Sequence, residues 1–167
     1  MVNLNKLIAS TVISFAVFVA SCSPQLASDP AAAESTAGVH PVSGLRVVPL
    51  TVASGDQRHL FQVEVAATAQ EQSKGLMFRT ELGPNEGMIF PRNPTDIASF
   101  WMKNTPLPLD IIFVGMDGEI LNIAANTVPY SLDPVSSKGM TALVFEIAGG
   151  RAEELGIKAG DIVQWQR

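Results

Sequence analysis

The amino-acid sequence predicts a mainly β fold, a single-domain β-sandwich or barrel of jelly-roll-like type with two short helices. Three observations predict it. Short apolar runs, many of them β-branched and several alternating with polar residues, recur through residues 45–167. Gly, Pro, Asn and Asp separate these runs at the short spacing typical of sandwiches and barrels. One separator, Asp117-Gly118, stands between two such runs, and both residues tolerate the positive φ that a tight hairpin needs.

Taken in order, residues 46–53 form a first strand. Pro49 lacks an amide donor and assigns that strand to a sheet edge or a bend. Ser54-Gly55-Asp56 is a turn. Residues 59–66 alternate, with Phe61, Val63 and Val65 on one face and Gln62 and Glu64 on the other. Thr68 and Glu71 have the spacing of a capping box, so a helix of about two turns starts there. Gly75 is placed to end it with a left-handed cap. Residues 87–90 are a buried run, Pro91 and Pro94 bracket a loop, and residues 97–103 form another strand that Asn104-Thr105-Pro106 terminates. Residues 109–114, Leu-Asp-Ile-Ile-Phe-Val, are the most continuous apolar strand and so the deepest. Residues 119–125 are its hairpin partner. Residues 127–138 read as a long polar loop, a feature that is uncommon in compact domains unless it serves function. A strand at 142–147, a short helix at 149–155 and a last strand at 162–165 complete the chain.

The N-terminus carries an address. Lys6 precedes an apolar run over residues 7–20, and small residues follow, as in a secretory signal peptide. The run falls short of the roughly 18 apolar residues of a spanning helix. Val19-Ala20-Ser21-Cys22 resembles the bacterial lipobox, and Cys22 is the only cysteine, with no disulfide partner in the chain. The expected organisation is a signal peptide over 1–21, a lipidated Cys22 with an Ala/Ser/Pro tether over 22–44, and a β domain over 45–167. Twenty tether residues reach about 25 Å as a flexible coil. The expected location is the bacterial cell envelope, lipid-anchored, with Ser23 favouring the outer membrane or periplasm.

Charge and motif content exclude several classes. The chain has 11 basic and 16 acidic side chains for a net charge of −5, with no basic cluster of the kind that binds nucleic acid. Its two histidines, His40 and His59, form no metal-binding spacing, so no metal and no cofactor is implied. Neither a phosphate-binding glycine loop nor a nucleophile elbow is present. A cysteine nucleophile is excluded if Cys22 is acylated.

The densest chemical signal is Phe100-Trp101-Met102-Lys103-Asn104-Thr105. Along a strand Trp101 and Lys103 share a face, offering an aromatic plate with a cation beside it and the Asn104 carboxamide at the turn. The structural alternative places Trp101 in the core, Lys103 along it with its ammonium in water, and Asn104 in the turn. Asp110 opens the most apolar strand. It is either a general base with a raised pKa or an acceptor for turn amides or a cation, with Lys103 and Arg79 as the available partners. Glu146 interrupts a strand of apolar residues. It faces solvent if the strand has one buried face, and it needs a partner if both faces are buried.

Residues 75–79 (GLMFR), 87–90 (GMIF), 100–105 (FWMKNT), 108–114 (PLDIIFV) and 156–163 (GIKAGDIV), in this order, resemble the DUF192 family over nearly the whole domain. The resemblance implies a β-sandwich or jelly-roll-like domain, common on exported or membrane-anchored bacterial and archaeal proteins, with no established reaction, substrate or cofactor. Arg79, Trp101, Met102, Lys103, Asn104 and Asp110 occupy its characteristic motifs. Two functions stay open. One is a non-catalytic envelope module binding a glycan, a peptide or another envelope protein, and the other is an envelope hydrolase or lyase using Asp110 or Glu146 with Lys103 or Arg79.

Overall fold

Alternating apolar residues give the first hairpin its buried face. In a computed structural model that describes residues 38–166, β1 (Gly38–Val39) pairs with β2 (Arg46–Ser54), which pairs antiparallel with β3 (Gln57–Val65). Val48, Leu50 and Val52 of β2 and Phe61, Val63 and Val65 of β3 enter one core. Of the edge or bend expected from Pro49, the edge is not found, because β2 is paired on both sides. The second side of β2 is shared between β1 at residues 46–47 and the C-terminal strand at residues 50–53, and Pro49 falls in the gap. Its partner Gln62 sends its amide outward to Asn85 O, so Pro49 also turns its nitrogen away from β3 and no ladder bond is lost. The signal peptide, Cys22 and the tether as far as residue 37 lie outside the described residues.

The next strand, β4 (Glu86–Phe100), runs parallel to β3, so residues 66–85 must cross over one face of the sheet. The crossover carries α1 (Ala69–Lys74). Thr68 and Glu71 close the predicted capping box, and backbone bonds from Thr68 and Ala67 hold the Glu71 carboxyl below the usual carboxylate range. Gly75 ends the helix at φ 48° and ψ −135°, outside the left-handed helical well expected for it. The proline segment predicted as a loop is absorbed into β4, whose register with its partner slips between Pro91 and Asp96 and again between Ile97 and Ser99. That strand stops at Phe100, so Trp101, Met102 and Lys103 leave the sheet.

β5 (Leu109–Val114) is buried at every position, and β6 (Ile120–Ala124) returns from it through Asp117-Gly118 as expected. β7 (Val135–Ala148) begins seven residues before the predicted 142, which shortens the long polar loop. Its first half pairs with the bulged end of β4, where exposed polar residues give no apolar period to read. α2 (Arg151–Glu154) and β8 (Ile162–Trp165) follow. The eight strands make one mixed sheet in the order β1-β2-β3-β4-β7-β5-β6, with β8 also on β2. The sheet is not closed into a barrel, and it is one sheet rather than the two of a sandwich. β8 links the two ends of the curl: Val163 N donates to Gly118 O at 2.8 Å and Ile120 N to Asp161 O at 2.8 Å.

Burial on both faces follows from this curl. The inner core collects residues of β2, β3, β7 and β8 around Phe61 and Phe145. The outer face of β4, β7 and β5 carries a second core of Met88, Phe90, Leu109, Ile111, Phe113 and Val144, roofed by Leu76 of the crossover and by Met102. Gly87 lets β4 and β7 approach closely, because a Cβ there would collide with the Glu146 carbonyl oxygen and the Phe145 ring.

Candidate functional site

The strand that carries Glu146 is buried on both faces. Leu143, Phe145 and Ile147 enter the inner core, so alternation turns Val144 and Glu146 to the outer one. Glu146 sits between Met88 on β4 and Ile111 on β5 and is 5% exposed. Among the described residues it has no hydrogen-bond or ion-pair partner. Burial pushes its carboxyl up to about 8. It lines a cavity of about 470 Å³ between the α1 crossover and the outer face, with Leu76, Phe90, Phe100, Trp101 and Leu109 among the other lining residues. Phe100 packs edge-on against both Phe90 and Phe113, with ring centroids 5.1 and 6.2 Å away, which fixes the aromatic wall.

Strained backbone clusters in the segments that meet at residues 102–105. Phe78, Asn104, Asn126 and Tyr130 are the described non-glycine residues with positive φ, at 65°, 55°, 50° and 63°. Each such residue costs about 1–3 kcal/mol and persists only when its neighbours fix it. The neighbours here are one another's segments. Phe78 N donates to Asn104 O at 2.8 Å, Tyr130 N to Thr105 O at 3.1 Å and Met102 N to Ser131 O at 2.9 Å. The Thr127 hydroxyl meets Met102 Sδ at 3.1 Å. Phe78 and Tyr130 are thereby held 70% and 62% exposed, and Trp101 is 51% exposed. The core position considered for Trp101 is therefore excluded. Lys103 does lie over Trp101, 5.3 Å from the ring centroid, although Lys103 stands in a turn, Trp101 just ahead of it, and neither is on a strand. Asn104 supplies the turn geometry, and its side-chain amide approaches Met77 Sδ at 3.8 Å.

Asp110 pairs with neither of the cations proposed as its partners. It is fully buried, and its oxygens accept from Asn126 N at 2.8 Å, Gly150 N at 2.9 Å and Ala152 N at 2.8 Å. It ties the 126 turn and the start of α2 to β5, the amide-accepting role that the sequence left open. Arg79 is likewise committed: Nη2 lies 2.6 Å from each oxygen of Glu64, which is buried. Ser43 Oγ also donates to Glu64, and His40 Nε2 lies 3.8 Å from it. This cluster was not legible in the sequence, where Glu64 reads as an ordinary polar residue of an alternating strand and His40 as part of the tether. Residues 38–44 thus pack on the domain ahead of the predicted start at Leu45. Removing Arg79 leaves Glu64 buried without its main counter-charge, a loss that costs about 3–5 kcal/mol when nothing replaces it. Because Ser43 and His40 remain, Arg79→Ala should lower stability by about 2–3 kcal/mol in urea denaturation, and Glu64→Met/Arg79→Met should lose less than the single variant.

Of the predicted site residues, the structure puts Trp101 and Glu146 on one cavity and lays Lys103 over the Trp101 ring. It assigns Asp110 and Arg79 to separate buried polar networks, and neither Arg79 nor Lys103 lines the cavity that holds Glu146. Among the described residues no group of three or more His, Cys, Asp or Glu could hold a metal ion, and no helix is long and apolar enough to cross a membrane.

Comparison with known proteins agrees with this fold. No curated protein matches the chain. A crystal structure of a protein of unknown function from Novosphingobium aromaticivorans DSM 12444 is 58% identical, with a TM-score of 0.78, over 83% of this chain and 99% of that one. A crystal structure from Sinorhizobium meliloti 1021, of a protein provisionally named a transcription regulator, is 33% identical with a TM-score of 0.70, over 72% of this chain and 95% of that one. The DUF192 model, described as Uncharacterized ACR, matches residues 50–165, and with the motifs at 75–79, 87–90, 100–105 and 108–114 inside that span, this chain belongs to the DUF192 family.

Proposed function

We propose that the protein is a non-catalytic binding module of the cell envelope, held to a membrane through a lipidated Cys22, whose ligand enters the cavity over Glu146. The observation that carries the reading is a buried acid without a partner on the floor of a cavity. Its oxygens open to the cavity, so its presence there supports a ligand that completes it in place of water. Trp101, 51% exposed and lining the same cavity, supports an aromatic rim that contacts the same ligand. The ligand classes that fit an exposed aromatic rim are an envelope glycan, a peptide or another envelope protein. Transcription regulation, the provisional name of the Sinorhizobium protein, gains no support from a net charge of −5 without a basic cluster.

Soluble muropeptides test this reading. In a Trp165→Phe background they should change Trp101 fluorescence saturably, and Trp101→Ala should weaken binding by roughly tenfold, the effect of losing about 1.4 kcal/mol, while the melting temperature stays close to wild type. Muropeptides and short peptides that leave both the fluorescence and the melting temperature unchanged would remove the proposal.

A further inference from the structure

We infer that the Glu146 cavity takes an organic ammonium, a primary cationic nitrogen on the Glu146 carboxyl with an apolar body against Phe90, Phe100 and Leu109. The inference rests on the reading of this cavity as the ligand site and names the chemical class of its ligand.

Three ligand chemistries can meet a buried acid: an anion, a neutral hydroxyl or a cation. An anion is disfavoured because it would leave water with only a neutral Glu146 O–H to meet it on the floor. A hydroxyl offers one ordinary hydrogen bond. An ammonium offers a charge-assisted bond roughly twice as strong, against which stands release of the Glu146 proton, about a tenfold cost in affinity at pH 7. The walls point the same way. Phe90 and Phe100 line the cavity, and an aromatic face attracts a desolvated cation.

The charged groups around Glu146 set the remaining electrostatics. Met88 and Ile111, beside it on the neighbouring strands, carry no charge. Lys74 from α1 and Arg92 from β4 line the same cavity. Arg92 is paired with Asp96, and Lys74 is exposed, where water and salt screen it.

Binding also moves a proton. Near neutral pH the Glu146 carboxyl is protonated, because burial pushes it to about 8. When an ammonium docks, the Glu146 O–H bond breaks, its proton passes to solvent, and the carboxylate pairs with the ammonium, releasing one proton per ligand bound. Below pH 8 the ion-pairing form of the site grows roughly tenfold per pH unit, and the apparent affinity for an amine follows it.

Hexylamine, hexanol and hexanoate, equal in chain length, are the probes for calorimetric titration of the full chain at pH 6, 7 and 8, in two buffers of different ionisation enthalpy. The expected result is that hexylamine binds best, tightens with pH and releases a proton. Glu146→Gln should weaken hexylamine at least tenfold at pH 8 and abolish the proton release, its thermal melt showing that it is folded. Equal or tighter binding of hexanol or hexanoate would overturn the ammonium assignment and leave the cavity as a ligand site. The same holds if muropeptides bind at Trp101 while hexylamine does not. If neither muropeptides nor any of the three probes binds, the ligand-site reading falls with it.

Discussion

Asp110→Ala is expected to destabilise the domain by about 4 kcal/mol or more, because three backbone amides lose a charged acceptor in one step. A hydrogen bond to an ionised group contributes about 1.5–3 kcal/mol, and an unsatisfied buried donor costs a further share of its desolvation. The three contributions are not additive, since one oxygen serves both Asn126 and Gly150. Against a total stability of about 5–15 kcal/mol, even the lower figure is a large fraction. Asn should be intermediate. Its carbonyl can keep the two amides on one side, while its NH2 group faces the Ala152 amide donor and can accept nothing from it. Urea denaturation of wild type, Asp110→Asn and Asp110→Ala gives the ranking. Losses under 1 kcal/mol for Ala would show that these amides find other acceptors and that Asp110 is not the tie between β5 and α2.

What the sequence disclosed was what depends on local order. The Thr68–Glu71 box, the Asp117-Gly118 hairpin and the continuous burial of residues 109–114 each rest on residues a few positions apart, and each is present. The breadth of β4 and β7 was hidden because a bulged, half-exposed ladder shows no apolar period. Pro49 misled for a related reason: its cost depends on which way its nitrogen points, and only the pairing of both neighbouring strands decides that. The site was partly legible. Trp101, Lys103 and Asn104 stood out as a dense local motif. Glu146 could be narrowed to two cases, solvent-facing or buried, and the choice turned on the crossover at 66–85 covering the outer face. The pairing of Glu64 with Arg79 joins residues 15 apart in sequence, through a crossover whose path the sequence does not specify.

Glu146→Gln should do the reverse of Asp110→Ala and stabilise the protein, by an amount that depends on pH. In the unfolded chain the carboxyl has its ordinary value of 4.5, and in the folded chain burial raises it to about 8. Below about pH 4.5 both states hold the proton and the acid costs nothing through ionisation. Between 4.5 and 8 the folded chain keeps a proton that the unfolded chain has released, so stability falls as pH rises, and above about 8 the loss is complete. At about 1.4 kcal/mol per pH unit across that window, the full effect is roughly 5 kcal/mol. Gln cannot ionise. Its melting temperature should therefore match wild type near pH 4 and exceed it increasingly up to pH 8, and the difference between the two curves isolates Glu146 from every other titrating group. Parallel curves would mean that Glu146 is solvated or paired in solution, and the case for a buried partnerless acid would end there. A divergence would establish that the chain retains a side chain that weakens it under neutral conditions. Natural proteins hold such groups at sites where activity requires them. A saturating amine should then close the gap, because a ligand that binds the ionised form restores to the folded state what the lost proton removed.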